Sequence, residues 1–202
     1  MMLSNTQAGL WHNSYAPGAV KIPREVAELE TLRLTLKRFT ANDFGDLCCI
    51  FGRPEVTRFM GDGLPTSPLQ TSIALESIIR HYEIHGFGRL AVREKATGRL
   101  IGYGGLRSLD GVPELVYLLD SPYWNRGLAT EIGVECLRHG FEDHGFERIV
   151  AMTKLGNIVS QRVLAKLGMC CEGLANYYNS DVLFYSMLRS ASTHQNAPVV
   201  EP

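Results

Sequence analysis

Residues 122–131 read PYWNRGLATE, set between an apolar run with an acidic end, LVYLLDS, and an amphipathic stretch that reaches Gly145. A helix that begins near Arg126 leaves its first N–H groups without internal partners and puts the positive end of its dipole there. Gly127 has no Cβ and Ala129 only a methyl, so a phosphate can approach the backbone of Arg126, Gly127, Leu128, Ala129 and Thr130. The Arg126 guanidinium can add a charge-assisted contact. The junction therefore suits an anion such as a pyrophosphate. It is neither a GxxxxGK[ST] loop nor a GxGxxG fingerprint, and by itself it is also compatible with an ordinary helix start.

Other reactive residue types are less organised. Asn157 stands where a short helix, NIVSQRVLAKLG, needs an N-cap. His81 and His85 are spaced i,i+4 in a helical pattern, which suits a metal pair, but no third ligand stands nearby, and a solvated helix face accounts for them. The five cysteines, Cys48, Cys49, Cys136, Cys170 and Cys171, show no zinc spacing and read as buried free thiols of a reducing compartment. No metal site is expected.

The elements that must carry these residues follow from hydrophobic period. TLRLTLKRF (31–39) alternates as a half-buried strand does, and ANDFGDLCCIF and PEVTRFM suit short helices. Residues 67–86 place Leu69, Ile73, Leu75, Ile78, Ile79 and Tyr82 at helical spacing before Gly86. GRLAVREK, GRLIGYGGLRSL and PELVYLLD are three strands, the middle one thinned by Gly102, Gly104 and Gly105, where a bulge or a close approach is expected. GLATEIGVECLRHGFEDHG buries Leu128, Ile132, Cys136, Leu137 and Phe141 as an amphipathic helix. ERIVAMTK is a strand, and the next helix turns Val159, Val163 and Leu167 inward. Two strands, from Met169 and from Val182, close the sheet. Sequential strands mixed with βαβ crossovers imply a mixed sheet with helices on both sides.

With 202 residues, 45% hydrophobic, the chain suits one domain, residues 29–189, between an N-terminal arm (1–28) and a flexible C-terminal tail (190–202). A net charge of −1 argues against a nucleic-acid binder that works by bulk charge. No stretch approaches the roughly 20 apolar residues of a membrane span and no secretory signal is visible, so a cytoplasmic protein is expected. The apolar closing strand VLFYSMLR is compatible with pairing in a homodimer and equally with an internal place in the sheet.

Taken in order, TLRLTLKRFT, GRLIGYGGLR, LVYLLD with YWNRGLATE, ERIVAMTK and GNIVSQRVLAKLGMCCEG resemble the GNAT superfamily of N-acetyltransferases, in particular the RimJ/RimL-like branch that acetylates N-termini of ribosomal proteins. The resemblance implies an α+β fold of the GNAT (acyl-CoA N-acyltransferase) type, with a central twisted mixed sheet of about seven strands and helices on both faces. It implies acetyl-CoA as cosubstrate, its pyrophosphate on residues 126–130. The pantetheine would lie between the splayed strands at Leu115–Leu119 and 148–153, against the amides of Leu118 and Leu119. Asn157 would hold the pantetheine arm and Ser160 would protonate the departing thiolate. Trp124 stands where the superfamily loop has Gln or Arg, a departure common in this branch. Arg162 and Lys166 suit the adenosine 3′-phosphate or a solvated face.

A tyrosine seven residues after the asparagine serves many superfamily members as acid; here that position is Leu164, which favours the Ser160 route or a mechanism with no dedicated acid. Glu114, at the start of the cofactor strand, is the candidate general base. A carboxylate that some relatives use is replaced by Asn179, and Tyr177 and Tyr178 suit the acceptor pocket. The implied reaction is direct attack by a primary amine, a protein N-terminus or a small molecule, in a ternary complex. The alternatives are a non-catalytic acyl-CoA-binding module on the same fold and a nucleotide-phosphate enzyme built on the Gly127 loop.

Overall fold

The computed structural model describes residues 28–177 and 180–192. The arm over residues 1–27, Tyr178, Asn179 and the tail from residue 193 lie outside the described residues. Strands β1 (Leu29–Glu30) and β2 (Leu34–Arg38) precede helices α1 (Phe44–Phe51), α2 (Pro54–Thr57) and α3 (Pro68–His85). A meander follows, β3 (Arg89–Glu94), β4 (Leu100–Leu109) and β5 (Val112–Leu119). Then come α4 (Leu128–Arg138), β6 (Arg148–Lys154), α5 (Ile158–Lys166), β7 (Cys170–Tyr177), β8 (Ser180–Leu188) and a last helical turn α6 (Arg189–Ser192).

The strands form one mixed sheet in the order β1-β2-β3-β4-β5-β6-β8-β7, and only the central β5–β6 contact is parallel. Among the described residues the sheet has eight strands, seven of the expected kind and one very short. The added one, β1, is two residues long, too short to show a period of two in the sequence. β8 lies inside the sheet, so VLFYSMLR spends its edges on β6 and β7. Helices cover both faces. Leu90, Val92, Leu115 and Leu119 pack with α4 and α5 on one face; Ala91 and Leu100 pack with α1 and α3 on the other. Gly104 permits the first contact, since a Cβ there would lie 2.2 Å from Ile132 Cγ2 of α4. The expected irregularity in β4 is also present, a register shift opposite Val92 and Arg93.

Two helix faces are rotated from the sequence expectation. In α3 the buried stripe is Thr71, Leu75, Ile78 and Tyr82, while Leu69 and Ile73 are 71% and 59% exposed. In α5 Leu164 and Leu167 are buried and Val163 packs half-buried against the same core, while Val159 is 62% exposed. In both, apolar residues occupy more of the circumference than the sheet covers, and the sheet contact selects the stripe. The thiols also differ: Cys136 is buried but Cys49, Cys170 and Cys171 are exposed. The last two lie on β7, the edge strand. Among the described residues no helix is long and apolar enough to cross a membrane.

Helix α4 widens into a π turn over His139–Asp143. His139 Nε2 lies 3.0 Å from His144 Nε2, and His144 stacks on Phe146. Burial, then the charge of His139, pushes the His144 imidazole down to about 4. His81 is likewise pushed down to about 4, by burial and then by His85, Arg89 and Arg107. Both rings stay neutral in the folded protein well below the ordinary imidazole value of about 6.5. Unfolding at acid pH therefore takes up protons, so stability is full above about 6.5 and declines as pH falls from there toward 4. The melting temperature is expected to fall over that window, and His144→Phe to make the fall shallower; thermal unfolding at stepped pH measures both.

Candidate active site

The chemistry collects where the sheet opens. β5 and β6 are in register at one pair, Glu114 opposite Val150. Beyond it the strands part, and an open cleft of about 1210 Å³ lies between them. Asp120 N–H donates to the Ile101 carbonyl at 2.8 Å. This bond makes Gly102 and Leu119 a non-hydrogen-bonded pair and Tyr103 and Leu118 a hydrogen-bonded one. The backbone groups of Tyr117 and Leu119 therefore face the gap and those of Leu118 face β4. Of the two leucines expected to offer amides, only Leu119 turns its N–H outward, because successive residues of a strand alternate sides. The Leu119 carbonyl is already taken by Trp124 Nε1 at 2.7 Å. Leu118 instead lines the cleft and packs toward the core of α1 and α3.

At the mouth, Asn125 and Gly127 both have left-handed backbone, φ 58° and 75°. Two such residues end any helical path, so α4 starts at Leu128 rather than near Arg126. Its first helical bond runs from Glu131 N–H to the Gly127 carbonyl at 3.1 Å. The N–H groups of Leu128, Ala129 and Thr130 precede that bond, and all three residues line the cleft with Gly127. Arg126 does not line it: its guanidinium pairs with Glu94 at 3.0 Å and sits over the Tyr123 ring. The cation beside the loop is Arg33, which the sequence reading missed. Its Nη1 donates to the Arg126 carbonyl at 2.9 Å, and Glu131 holds it at 2.6 Å.

Across the gap, Asn157 caps α5, its Oδ1 accepting from Ser160 N–H at 3.2 Å. Asn157 Nδ2 has no partner among the described residues, and the residue lines the cleft. The cap role and a ligand contact are thus available together. Ser160 itself does not line the cleft. It falls on the α5 stripe of Leu164 and Leu167, four and seven residues on, and faces β5 rather than the gap. There its Oγ meets the Tyr117 hydroxyl at 2.9 Å. Tyr117 does line the cleft, and burial holds its phenol up at about 12 despite the bond to Ser160. The position of the missing tyrosine, Leu164, is core; a phenol reaches the serine from the strand instead. The signal for it was the alternation that sets Leu115, Tyr117 and Leu119 on one face.

Glu114 stands at the vertex of the split, 3% exposed, on the opposite face of β5. Arg107, directly across the β4–β5 ladder, donates from Nε to Glu114 Oε2. Arg162 and Lys166 of α5 line the cleft, as does Tyr177, which stacks on Phe184. His81 is not available to a metal: Nδ1 faces the Phe87 carbonyl at 3.1 Å and Nε2 accepts from Ser108 N–H at 3.0 Å. Among the described residues no group of three or more ligating side chains could hold a metal ion.

A parted sheet with a left-handed turn and an open helix start at its mouth defines a class, and comparison with known proteins agrees. Residues 33–170 match the family model described as an acetyltransferase (GNAT) domain. The chain is 29% identical over 171 residues to an uncharacterised N-acetyltransferase, p20, of Bacillus licheniformis, covering 80% of this chain and 96% of that protein. A GNAT-family acetyltransferase of Bacillus anthracis superposes with a TM-score of 0.72 at 21% identity, over 81% of this chain and 99% of its own. RimL, a ribosomal-protein α-N-acetyltransferase solved with coenzyme A, superposes with a TM-score of 0.70 at 14% identity, over 80% and 98%. The chain belongs to the GNAT family of acetyl-CoA-dependent acetyltransferases.

Proposed function

We propose that the protein transfers the acetyl group of acetyl-CoA to a primary amine by direct attack in a ternary complex. One observation carries this reading. The sheet parts beyond Glu114 and Val150, and the gap ends at the open N-terminus of α4 behind Gly127. The residues present fit the cosubstrate. Unpaired strand edges suit its amides, the free N–H groups of Leu128, Ala129 and Thr130 suit its pyrophosphate, and Arg162 and Lys166 suit a further phosphate. Acetyl-CoA supplies the activated thioester. Coenzyme A in the RimL complex supports a ligand of the same class here.

In this reading Tyr117 and Leu119 hold the ligand through backbone groups, and Asn157 contributes Nδ2. Glu114 takes a proton from the amine, directly or through water. The Tyr117–Ser160 pair delivers a proton to the leaving sulfur, the phenol carrying its proton at neutral pH and lying 2.9 Å from the Ser160 hydroxyl. The acceptor is a protein N-terminus or a small-molecule amine, met in the cytoplasm; ribosomal-protein acetyltransferases among the structural neighbours support the former.

Titration with acetyl-CoA beside ATP and NAD⁺, read by calorimetry, tests the cosubstrate. Saturation by acetyl-CoA alone is expected, and no binding by folded protein would sink the reading. Ser160→Ala and Tyr117→Phe are each expected to keep acetyl-CoA affinity and to lower turnover by about 10- to 100-fold, at the low end of general-acid effects. Because the two hydroxyls act through one bond, the double variant is expected to lose little more than either single one. Additive losses in thiol-release assays would separate their roles.

A further inference from the structure

We infer that the amine acceptor carries a carboxylate, and that Arg89 is the residue that reads it. The inference rests on the acetyltransferase reading of the cleft and names the acceptor class that reading leaves open. It starts from charge. The chain as a whole carries −1. Its cleft is lined by Arg58, Arg89, Arg107, Lys154, Arg162 and Lys166 against two acids, Glu55 and Glu114. Two pairs of these cations stand in different places, while Arg58 lies over the Phe59 ring. Arg162 and Lys166 sit on α5, with the proposed phosphate contacts, and Lys154 Nζ donates to the Gly61 carbonyl at 2.6 Å. Arg89 and Arg107 belong to the sheet floor beside Glu114, where the amine would lie.

On that floor Arg107 is matched by Glu114 and Arg89 by nothing. Arg89 makes no ion pair among the described residues, and its Nε is buried without a hydrogen-bond partner. Its guanidinium carbon lies 5.7 Å from the centroid of the Tyr103 ring, which also lines the cleft. Among the described residues two other buried nitrogens lack partners, Arg38 Nε and His144 Nδ1, but neither residue is on the cleft. A buried guanidinium N–H left unsatisfied is expensive and rare, and on the wall of a cleft it leaves a cation without the counter-charge that a bound anion supplies. A planar fork of donors held against an aromatic face suits a carboxylate.

The register gives the spacing. Arg89 pairs with Gly105 and Gly105 with Val116, while Glu114 lies two residues before Val116 on the same face. Two inter-strand steps and two residues along the strand put the Arg89 and Glu114 Cα atoms about 12 Å apart. Both side chains rise from the same face of the sheet, a spacing that suits one small group with an amine at one end and a carboxylate at the other. The positive character of this floor is felt nearby: Arg89 and Arg107 both help hold His81 neutral. A free α-amino acid and a peptide with an acidic residue in its first two positions offer the same chemistry.

Thiol release from acetyl-CoA, measured with matched acceptor pairs, tests this. One arm compares α-amino acids with their carboxamides. The other compares peptides with Asp or Asn at the second position. The carboxylate member of at least one pair is expected to be favoured by about 10-fold or more in kcat/KM, mainly through KM, as a charge-assisted bidentate bond provides. Which arm shows the preference tells a free acid from a peptide. In Arg89→Gln the ratio within the pair should collapse toward one, and Arg89→Lys should retain part of it. Equal use of both members, or an equal loss for both in Arg89→Gln, would overturn the inference. If acetyl-CoA binds but no amine in either set reacts, binding to the CoA-saturated protein decides. N-acetylamino acids should then bind at least about 10-fold more tightly than their amides to the wild type and not to Arg89→Gln. No discrimination there overturns the inference and leaves the cosubstrate reading standing, whereas absence of acetyl-CoA binding overturns both.

Discussion

Gly127→Glu is expected to give a folded protein that no longer binds acetyl-CoA saturably. Gly127 has φ 75°, and a Cβ built there meets nothing nearer than Arg33 Nη2 at 3.7 Å. A side chain in left-handed backbone costs roughly 1–2 kcal/mol, a fraction of the 5–15 kcal/mol that holds a typical domain folded. Space therefore exists, and the fold should survive. The carboxylate would stand at the mouth of the cleft, among the N–H groups of Leu128, Ala129 and Thr130. Arg33 is the nearest cation, but Glu131 already holds it at 2.6 Å, so it can offset only part of the new charge. A like charge about 4 Å from a phosphate at a protein surface repels it by about 4 kcal/mol, near 10³ in affinity. Gly127→Ala is the control. It carries the backbone strain without the charge and should bind within about tenfold of the wild type. Calorimetry with a thermal melt on each variant checks both. Wild-type binding by Gly127→Glu would end the phosphate reading of this loop, and equal loss in Gly127→Ala would assign the effect to strain.

The loop was legible in the sequence because its requirement is local: a residue free to take positive φ, followed by a small one, ahead of an amphipathic stretch. Asn157 was legible for the same reason, since a cap acts within three residues. The strands followed from period, apart from β1, which is too short to have one. What no local pattern encodes is contact between distant elements. Tyr117 reads as any half-buried strand residue until α5 is laid across it and Ser160 arrives 43 positions later. Arg89 reads as a strand-start cation until the ladders through Gly105 set it on the floor with Glu114. On α5 Val163 and Leu167 pack on the core as their period predicts, but Val159 fits that period as well as Ser160 and Leu164 do and is exposed instead. That one-residue rotation decides whether Ser160 faces the gap or the phenol. Leu118 and Leu119 differ in the same way, a choice of side that only the β4 register makes.

Glu114→Gln is expected to keep acetyl-CoA affinity while kcat/KM falls by on the order of 10²–10⁴, the usual effect of a general base. Glutamine has the shape of glutamate and cannot accept the proton. What remains should be the effect of holding both substrates together, which supplies on the order of 7 kcal/mol of the barrier in favourable cases. The substitution also removes one partner of Arg107, whose side chain is 25% exposed. Water reaches that guanidinium, so the melting temperature should drop by only a few degrees. Two measurements separate chemistry from structure. If Glu114 served only as a counter-ion, Arg107→Gln would cost as much activity as Glu114→Gln. The second is a pH series. An amine that is already neutral in solution needs no base, so the deficit of Glu114→Gln relative to wild type should shrink as pH approaches the pKa of the amine. A deficit that stays constant across that range would mean that Glu114 positions the acceptor, through its charge and its bond to Arg107, and that the proton leaves by another route.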